Sequence, residues 1–207
     1  MNTLLDKTII STHLTDVAKS FIHDIRIENS VTSTNDILLS KIKSYPQKNI
    51  ALLAEEQTAG RGRLGRPWIS PAQQNIYLSL SWYFEKPMAE LAGLSITVGE
   101  CLVSALKEFG ITQEITIKWP NDLLHNNQKF CGILIETTAI DKNHTAAVIG
   151  IGLNVNYIDE KNNAIDQPWT SLQKITHHAH DRNKLIAYIL NSLSESLSRF
   201  IQQRPKY

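Results

Sequence analysis

The chain reads as an α+β fold in which a mixed, mostly antiparallel sheet is flanked by helices. Three observations predict it. Several runs have strand length and strand patterning, the clearest being 75–84 (Asn-Ile-Tyr-Leu-Ser-Leu-Ser-Trp-Tyr-Phe) and the nearly all-apolar 147–155. Some strands are joined by short turns, as at Asn126-Asn127-Gln128, which suits antiparallel neighbours. Longer helical segments separate others, and that mixture defines the class.

Ile25–Glu28 is a strand leading into a helix over 33–44, with Ser33 or Thr34 as its cap, Asp36 in its first turn and Ile37, Leu38 and Ile42 on one face. Ile50–Glu55 is a strand. Pro87 sits like a first helical residue, opening a helix that runs to about Phe109 and stops at Gly110. Glu114-Ile115-Thr116-Ile117 alternates as a strand within 114–119. Pro120 ends that ladder and leaves Asn121 and Asp122 in a turn. Lys129 opens the returning strand over 130–138, and a central strand follows over 145–154. After a polar loop, 156–168, and a short helix, a last helix over 181–202 carries Leu185, Ile189, Leu193 and Leu197 on one face.

With 207 residues, 42% of them apolar, the chain can bury one sizeable core, and one domain, 1–207, is the natural count. A net charge of +1 gives no bulk pull toward nucleic acid or membrane. No apolar run approaches the roughly 20 residues of a membrane span, and Met1–Asp6 lacks a signal-peptide pattern. Cys101 and Cys131 read as buried thiols, and the protein reads as cytoplasmic. His177, His178 and His180 have no acidic or cysteine partners nearby and read as a solvated cluster. Gly150-Ile151-Gly152 is not a dinucleotide fingerprint, since no third glycine opens a helix after it.

Chemistry concentrates in four segments. Residues 57–68 (Gln-Thr-Ala-Gly-Arg-Gly-Arg-Leu-Gly-Arg-Pro-Trp) alternate glycine and arginine, with Arg61, Arg63 and Arg66 between Gly60, Gly62 and Gly65. Such a loop can wrap an anion with backbone N–H groups and guanidinium forks together, and Trp68 offers a flat apolar seal. The plain reading is a solvated or nucleic-acid-contacting loop. Lys118-Trp119-Pro120-Asn121-Asp122 sets a lysine, an amide and a carboxylate at a strand end, suited to a nucleotide and its metal; the plain reading is a turn. Lys129 precedes Phe130-Cys131-Gly132-Ile133-Leu134-Ile135-Glu136 and either enters a pocket or guards a sheet edge. In Ser33-Thr34-Asn35, Ser33 can cap the helix while its neighbours reach a ligand.

Taken in order, Ser-Thr-Asn, Gln-x-x-Gly-Arg-Gly-Arg-x-Gly-Arg-x-Trp, Lys-Trp-Pro-Asn-Asp, Lys-x-x-Gly-Ile-Leu-x-Glu and Gly-Ile-Gly-x-Asn-Val resemble the catalytic domain of the biotin protein ligases (biotin–[acetyl-CoA-carboxylase] ligases). The likeness spans roughly residues 28–200. It implies a core similar to that of class II aminoacyl-tRNA synthetases and lipoate ligases. It also implies a two-step reaction with ATP, biotin and Mg²⁺: formation of biotinyl-5′-AMP, then transfer to a lysine of a biotin carboxyl carrier domain.

By this resemblance Ser33, Thr34, Asn35, Gln57, Gly60, Arg61, Gly62, Arg63, Lys129 and Gly132 are expected at biotin. Arg63, Arg66, Trp68, Lys118, Asn121, Asp122, Gly152 and Asn154 are expected at the adenylate, with Asp122 as the magnesium ligand. Lys129 and Arg63 are expected to stabilise the transition state, and Asp122 to serve as base or orienter in transfer. Gly132 and Gly152 are read as allowing close approach of backbone to ligand. Residues 60–67 are expected to be poorly ordered without ligand and to close over the adenylate.

About 30 residues precede Ser33, too few for the winged helix-turn-helix domain of bifunctional relatives, and the chain stops at Tyr207 without their small C-terminal β-barrel. A monofunctional form is expected, acting as a monomer or homodimer, with no nucleic-acid or membrane partner. The alternatives are a ligase for lipoate or octanoate, a biotin sensor without transfer, and a nucleic-acid module using the Arg/Gly loop.

Overall fold

A computed structural model describes residues 3–42, 48–158, 165 and 167–202. Seven strands form one sheet: β1 (Ile22–Val31), β2 (Asn49–Gln57), β3 (Ile76–Phe84), β4 (Thr116–Lys118), β5 (Asp122–His125), β6 (Gln128–Ala139) and β7 (Thr145–Leu153). Their spatial order is β1-β2-β3-β7-β6-β5-β4. Only β1 and β2 pair in parallel; the other neighbours are antiparallel, as the short turns predicted.

The helices divide between the two faces. On one side lie α4 (Leu94–Phe109), the short α5 (Leu172–Thr176) and α6 (Arg182–Gln202), with the short α1 (Lys7–Thr12) and α2 (Asp16–Phe21) packed against α6 and β1. Leu185, Ile189, Leu193 and Leu197 are fully buried, so the predicted stripe is the inner face of α6. On the other side α3 (Thr34–Lys41) packs on β2, β3 and β7 through a smaller cluster of Leu38, Ile42, Ile50, Leu52, Ala146 and Val148. The strand period of two assigns residues to each side. In β7, Ala147, Ile149, Ile151 and Leu153 enter the main core, while Ala146, Val148, Gly150 and Gly152 face α3.

Some elements differ from expectation. The helix expected over 87–109 is broken. Met88–Leu91 makes one 3₁₀ turn capped by Pro87, and α4 begins only after Gly93, whose φ of 88° is left-handed. Gly93 serves as the cap of α4, and Gly110 ends it at φ 107°. Residues 119–121 form the expected turn and hold Asn121, but Asp122 opens a strand, β5, rather than lying in that turn; the hairpin turn expected at Asn126-Asn127 is present, both residues at positive φ. The last residues of the predicted 33–44 helix and most of the 156–168 loop lie outside the described residues. Cys101 and Cys131 are buried, and burial raises the pKa of both thiols. His177 and His178 are exposed, while His180 is half-buried against Phe109, and burial lowers its pKa.

Candidate active site

The α3 face of the sheet is hollow because its central positions carry little or no side chain. Gly132 of β6 pairs with Gly152 of β7, and Gly150 of β7 pairs with Ser79 of β3. These positions floor a pocket walled by α3, the Arg/Gly segment and Lys129. Of the residues expected at the site, Ser33, Thr34, Asn35, Gln57, Arg61, Gly62, Arg63, Trp68, Asn121, Lys129, Gly132 and Gly152 line it.

The polar wall is hydrogen-bonded in series. Ser33 caps α3 by accepting from the Asp36 N–H at 3.3 Å, as its position suggested. The Thr34 N–H donates to Gln57 Oε1 at 2.9 Å and the Thr34 hydroxyl at 3.1 Å. Gln57 Nε2 donates to Ser70 Oγ at 3.1 Å. The Ser79 hydroxyl lies 2.8 Å from Thr34 Oγ1 and 2.6 Å from Asn35 Oδ1. Ser79 was not expected here. Its signal was the pair of hydroxyls, Ser79 and Ser81, at alternate positions of an otherwise apolar strand.

Lys129 reaches this face through a bulge. The β5–β6 register shifts between Leu123 and Leu124, so Lys129 rather than Phe130 pairs with Leu124. Phe130 and Cys131 both enter the core, and the lysine is turned to the face of Gly132 and Asp122. Its Nζ lies 2.8 Å from Asp122 Oδ1, with both side chains mostly buried, and 5.3 Å from the Trp68 ring centre.

Residues 60–68 form a small hairpin. Trp68 N–H donates to Gly60 O at 2.8 Å and Gly62 N–H to Arg66 O at 2.7 Å, around a 3₁₀ turn at Arg63–Gly65. Arg61 is tied to Asp36 through Nε at 2.7 Å and to Glu136 through Nη2 at 2.9 Å, and both carboxylates raise its pKa. The cation expected along biotin and phosphate is therefore already neutralised. Arg63 Nη1 reaches Asn121 Oδ1 at 3.2 Å, and Arg66 is exposed. Gly60 sits in a tight corner, where a Cβ would fall 2.6 Å from Trp68 O.

A second pocket lies beyond Trp68, lined by Arg66, Trp68, Lys129, Asn154, Gln167 and Trp169 among others. Trp169, in none of the motifs, stacks on Tyr157 at 5.0 Å; the Lys129 and Thr170 N–H groups fix its segment to the start of β6. Trp68 and Lys129 belong to both pockets. Gly132 and Gly152 admit the Trp68 indole rather than leaving backbone open: a Cβ on Gly152 would stand 2.5 Å from the ring. The Trp68 Nε1–H is buried with no acceptor among the described residues. Lys118 is exposed on β4 and lines neither pocket, and Asp122 touches them only through Lys129. No cluster of three metal-ligating side chains occurs among the described residues.

Fold and site together define a mixed-sheet domain with two adjoining small-molecule pockets. The chain belongs to the biotin/lipoate A/B protein ligase family, whose model matches residues 28–154. It is 36% identical over 173 residues to the bifunctional ligase/repressor BirA of Escherichia coli, covering 84% of this chain and 53% of that protein. It is 34% identical over 176 residues to the biotin–[acetyl-CoA-carboxylase] ligase of Mycobacterium tuberculosis, covering 83% and 62%. It thus spans about half to two thirds of the length of these curated relatives. The structure of biotin protein ligase from Aquifex aeolicus in complex with biotin and ATP superposes with a TM-score of 0.72 at 31% identity, covering 88% of this chain and 73% of that one. The Leishmania major ligase with biotinyl-5-AMP gives 0.66 at 26% identity, covering 86% and 76%.

Proposed function

We propose that the chain is the catalytic domain of a biotin protein ligase that forms biotinyl-5′-AMP from biotin and ATP and transfers biotin to a carrier-domain lysine. The observation that carries this reading is the pair of adjoining pockets meeting at Lys129 and Trp68. Solved relatives hold biotin with ATP, or biotinyl-5-AMP.

In the first step a biotin carboxylate oxygen bonds to the α-phosphorus and the bond to pyrophosphate breaks. Two anions must approach; at about 4 Å they repel by about 4 kcal/mol at an effective dielectric near 20. Lys129, at the junction, offsets this with its ammonium, and Arg63 and Arg66 bring further positive charge from the hairpin. Asp122 holds Lys129 in place. The glycine-floored pocket takes the biotin rings, with Thr34, Asn35, Gln57 and Ser79 supplying donors and acceptors for a ureido group. Trp68, Trp169, Arg66 and Asn154 take the nucleotide, and the Trp68 Nε1–H is a donor that a bound ligand satisfies.

Magnesium held chiefly by ATP phosphates needs only one or two protein carboxylates. Asp122 is the one at this junction, where the ion would neutralise phosphate charge. In the second step the carrier amine attacks the acyl carbon and the bond to AMP breaks. Asp122 Oδ1 is engaged by Lys129, so positioning of amine and adenylate carries this step. We place the protein in the cytoplasm, as a monomer or homodimer acting on a biotin carboxyl carrier domain.

Mass spectrometry of the purified chain with biotin and Mg-ATP, with and without a carrier domain, tests the reading. Biotinyl-AMP and a carrier heavier by one biotin are expected. Adenylation of lipoate or octanoate in place of biotin would overturn the substrate, and no adenylate from any acid would overturn the activity.

A further inference from the structure

Glu136 closes the Lys-x-x-Gly-Ile-Leu-x-Glu motif and, beyond its pairing with Arg61, has no part in the adenylation step. It stands on the pocket face of β6, opposite Val148 in the ladder. Its Oε2 accepts from Asn35 Nδ2 at 3.0 Å and from Arg61 Nη2 at 2.9 Å, and its Oε1 from the same Nη2 at 3.0 Å. Asn35 is 4% exposed, and its Nδ2 also donates to Leu134 O at 3.3 Å. Both amide hydrogens are therefore spent inside the protein. The Asn35 Oδ1 takes the Ser79 contact and keeps one lone pair. It is also wedged against Gly150, where a Cβ would stand 2.3 Å away, so the amide has little room to turn.

We infer that Glu136 is a positioning residue of the biotin pocket: it fixes the Asn35 amide so that an acceptor faces the ligand, and with Asp36 it anchors the Arg61 hairpin to the same spot. The inference rests on the ligase reading. A glutamine at 136 keeps the shape but replaces one acceptor oxygen by a donor. The Asn35 and Arg61 donors then share the one remaining oxygen, now without charge, and the Asn35 amide is held less firmly.

The test compares wild type, Glu136→Gln, Asn35→Ala and the double variant in biotin calorimetry and biotin-dependent pyrophosphate exchange. For Glu136→Gln the KM and Kd for biotin are expected to rise about tenfold. The KM for ATP should change less than about twofold, and thermal stability little. In the Asn35→Ala background the same substitution should have a clearly smaller effect than in the wild type, because only its action through the Arg61 anchor is left. Glu136→Asp, which restores the charge, should recover part of the affinity and stands in if the glutamine variant does not fold. An unchanged biotin KM, an equal rise for ATP, or the full tenfold effect in both backgrounds would overturn the inference while leaving the ligase reading intact. A wild-type chain that neither binds biotin nor exchanges pyrophosphate would overturn both.

Discussion

The Trp68 indole fills the volume in which a side chain at Gly152 would have to stand: a Cβ there falls 2.5 Å from Cε2 and 2.6 Å from Nε1. Loop and strand are thus fitted to one another through an absent methyl group. Gly152→Ala should push the indole off the sheet and lower biotin-dependent pyrophosphate exchange at least about tenfold, with a stability loss of about 1–3 kcal/mol. Gly132→Ala, where the ring is 3.0 Å away, should cost less. Exchange kinetics and tryptophan fluorescence of the two variants side by side check this order.

Lys129 sits at the junction of both pockets and is held by Asp122. Lys129→Ala should reduce the kcat of adenylation by about 10²–10³, with a smaller change in the KM for biotin or ATP. Asp122→Asn leaves the ammonium in place but loosens it, and should reduce kcat by about tenfold. Single-turnover formation of the adenylate measures both; a larger loss from Asp122→Asn would give that carboxylate the leading role.

On the main-core face of the sheet, Arg182 and Glu55 form an ion pair at 2.7 Å with side chains 2% and 5% exposed. Arg182 Nη2 also donates to Thr3 O, and Glu55 Oε1 accepts the Leu5 N–H, so the pair sews the N-terminal segment to α6 and β2. Arg182→Ala should cost about 3–5 kcal/mol by stranding the carboxylate. Denaturant unfolding reads the loss.

Arg63 and Leu64 form the tip of the hairpin, and Leu64 is 90% exposed. Trypsin should cut after Arg63, since Pro67 protects the bond after Arg66. Biotin with ATP should slow that cut about fivefold or more as the hairpin closes on the adenylate. Equal cleavage rates with and without ligands would mean that the hairpin does not move.

Burial raises the pKa of both thiols, with Cys131 fully enclosed. In the native chain neither should react with a thiol reagent at pH 8, and both should react after unfolding. The sign for stability follows: the unfolded thiols ionise above about pH 8.5 while the folded ones stay neutral. Stability is full below that pH and falls as pH rises beyond it, which melting temperatures between pH 7 and 10 measure.

Much of this was legible because it is local. Hydroxyls and amides flanking apolar runs marked the pocket wall, and Leu185, Ile189, Leu193 and Leu197, four residues apart, marked α6. What escaped notice depends on distant partners or on very short elements. The six-residue α1 and α2 are too short for a readable period. The bulge that turns Lys129 into the pocket leaves no local trace; it shows only when Leu123 and Leu124 are laid against β6. Arg61 looked like a phosphate ligand because its two carboxylates lie 25 and 75 residues away. Trp169 carried no motif around it and acquires its place only when its segment pairs with Lys129.

The position of β7 has a consequence during synthesis. It lies between β3 and β6, yet β3 ends at Phe84 and β7 begins at Thr145. At about 5–20 residues per second, the ribosome leaves the β3 edge without its neighbour for several seconds. Through that interval the strand Ile76–Phe84, seven of whose nine residues are apolar, has an open side available to other chains. The last strand to emerge therefore completes the binding floor and also ends the period in which the nascent protein is most prone to aggregate, so substitutions that weaken β7 should lower soluble yield before they are seen in the activity of the molecules that do fold.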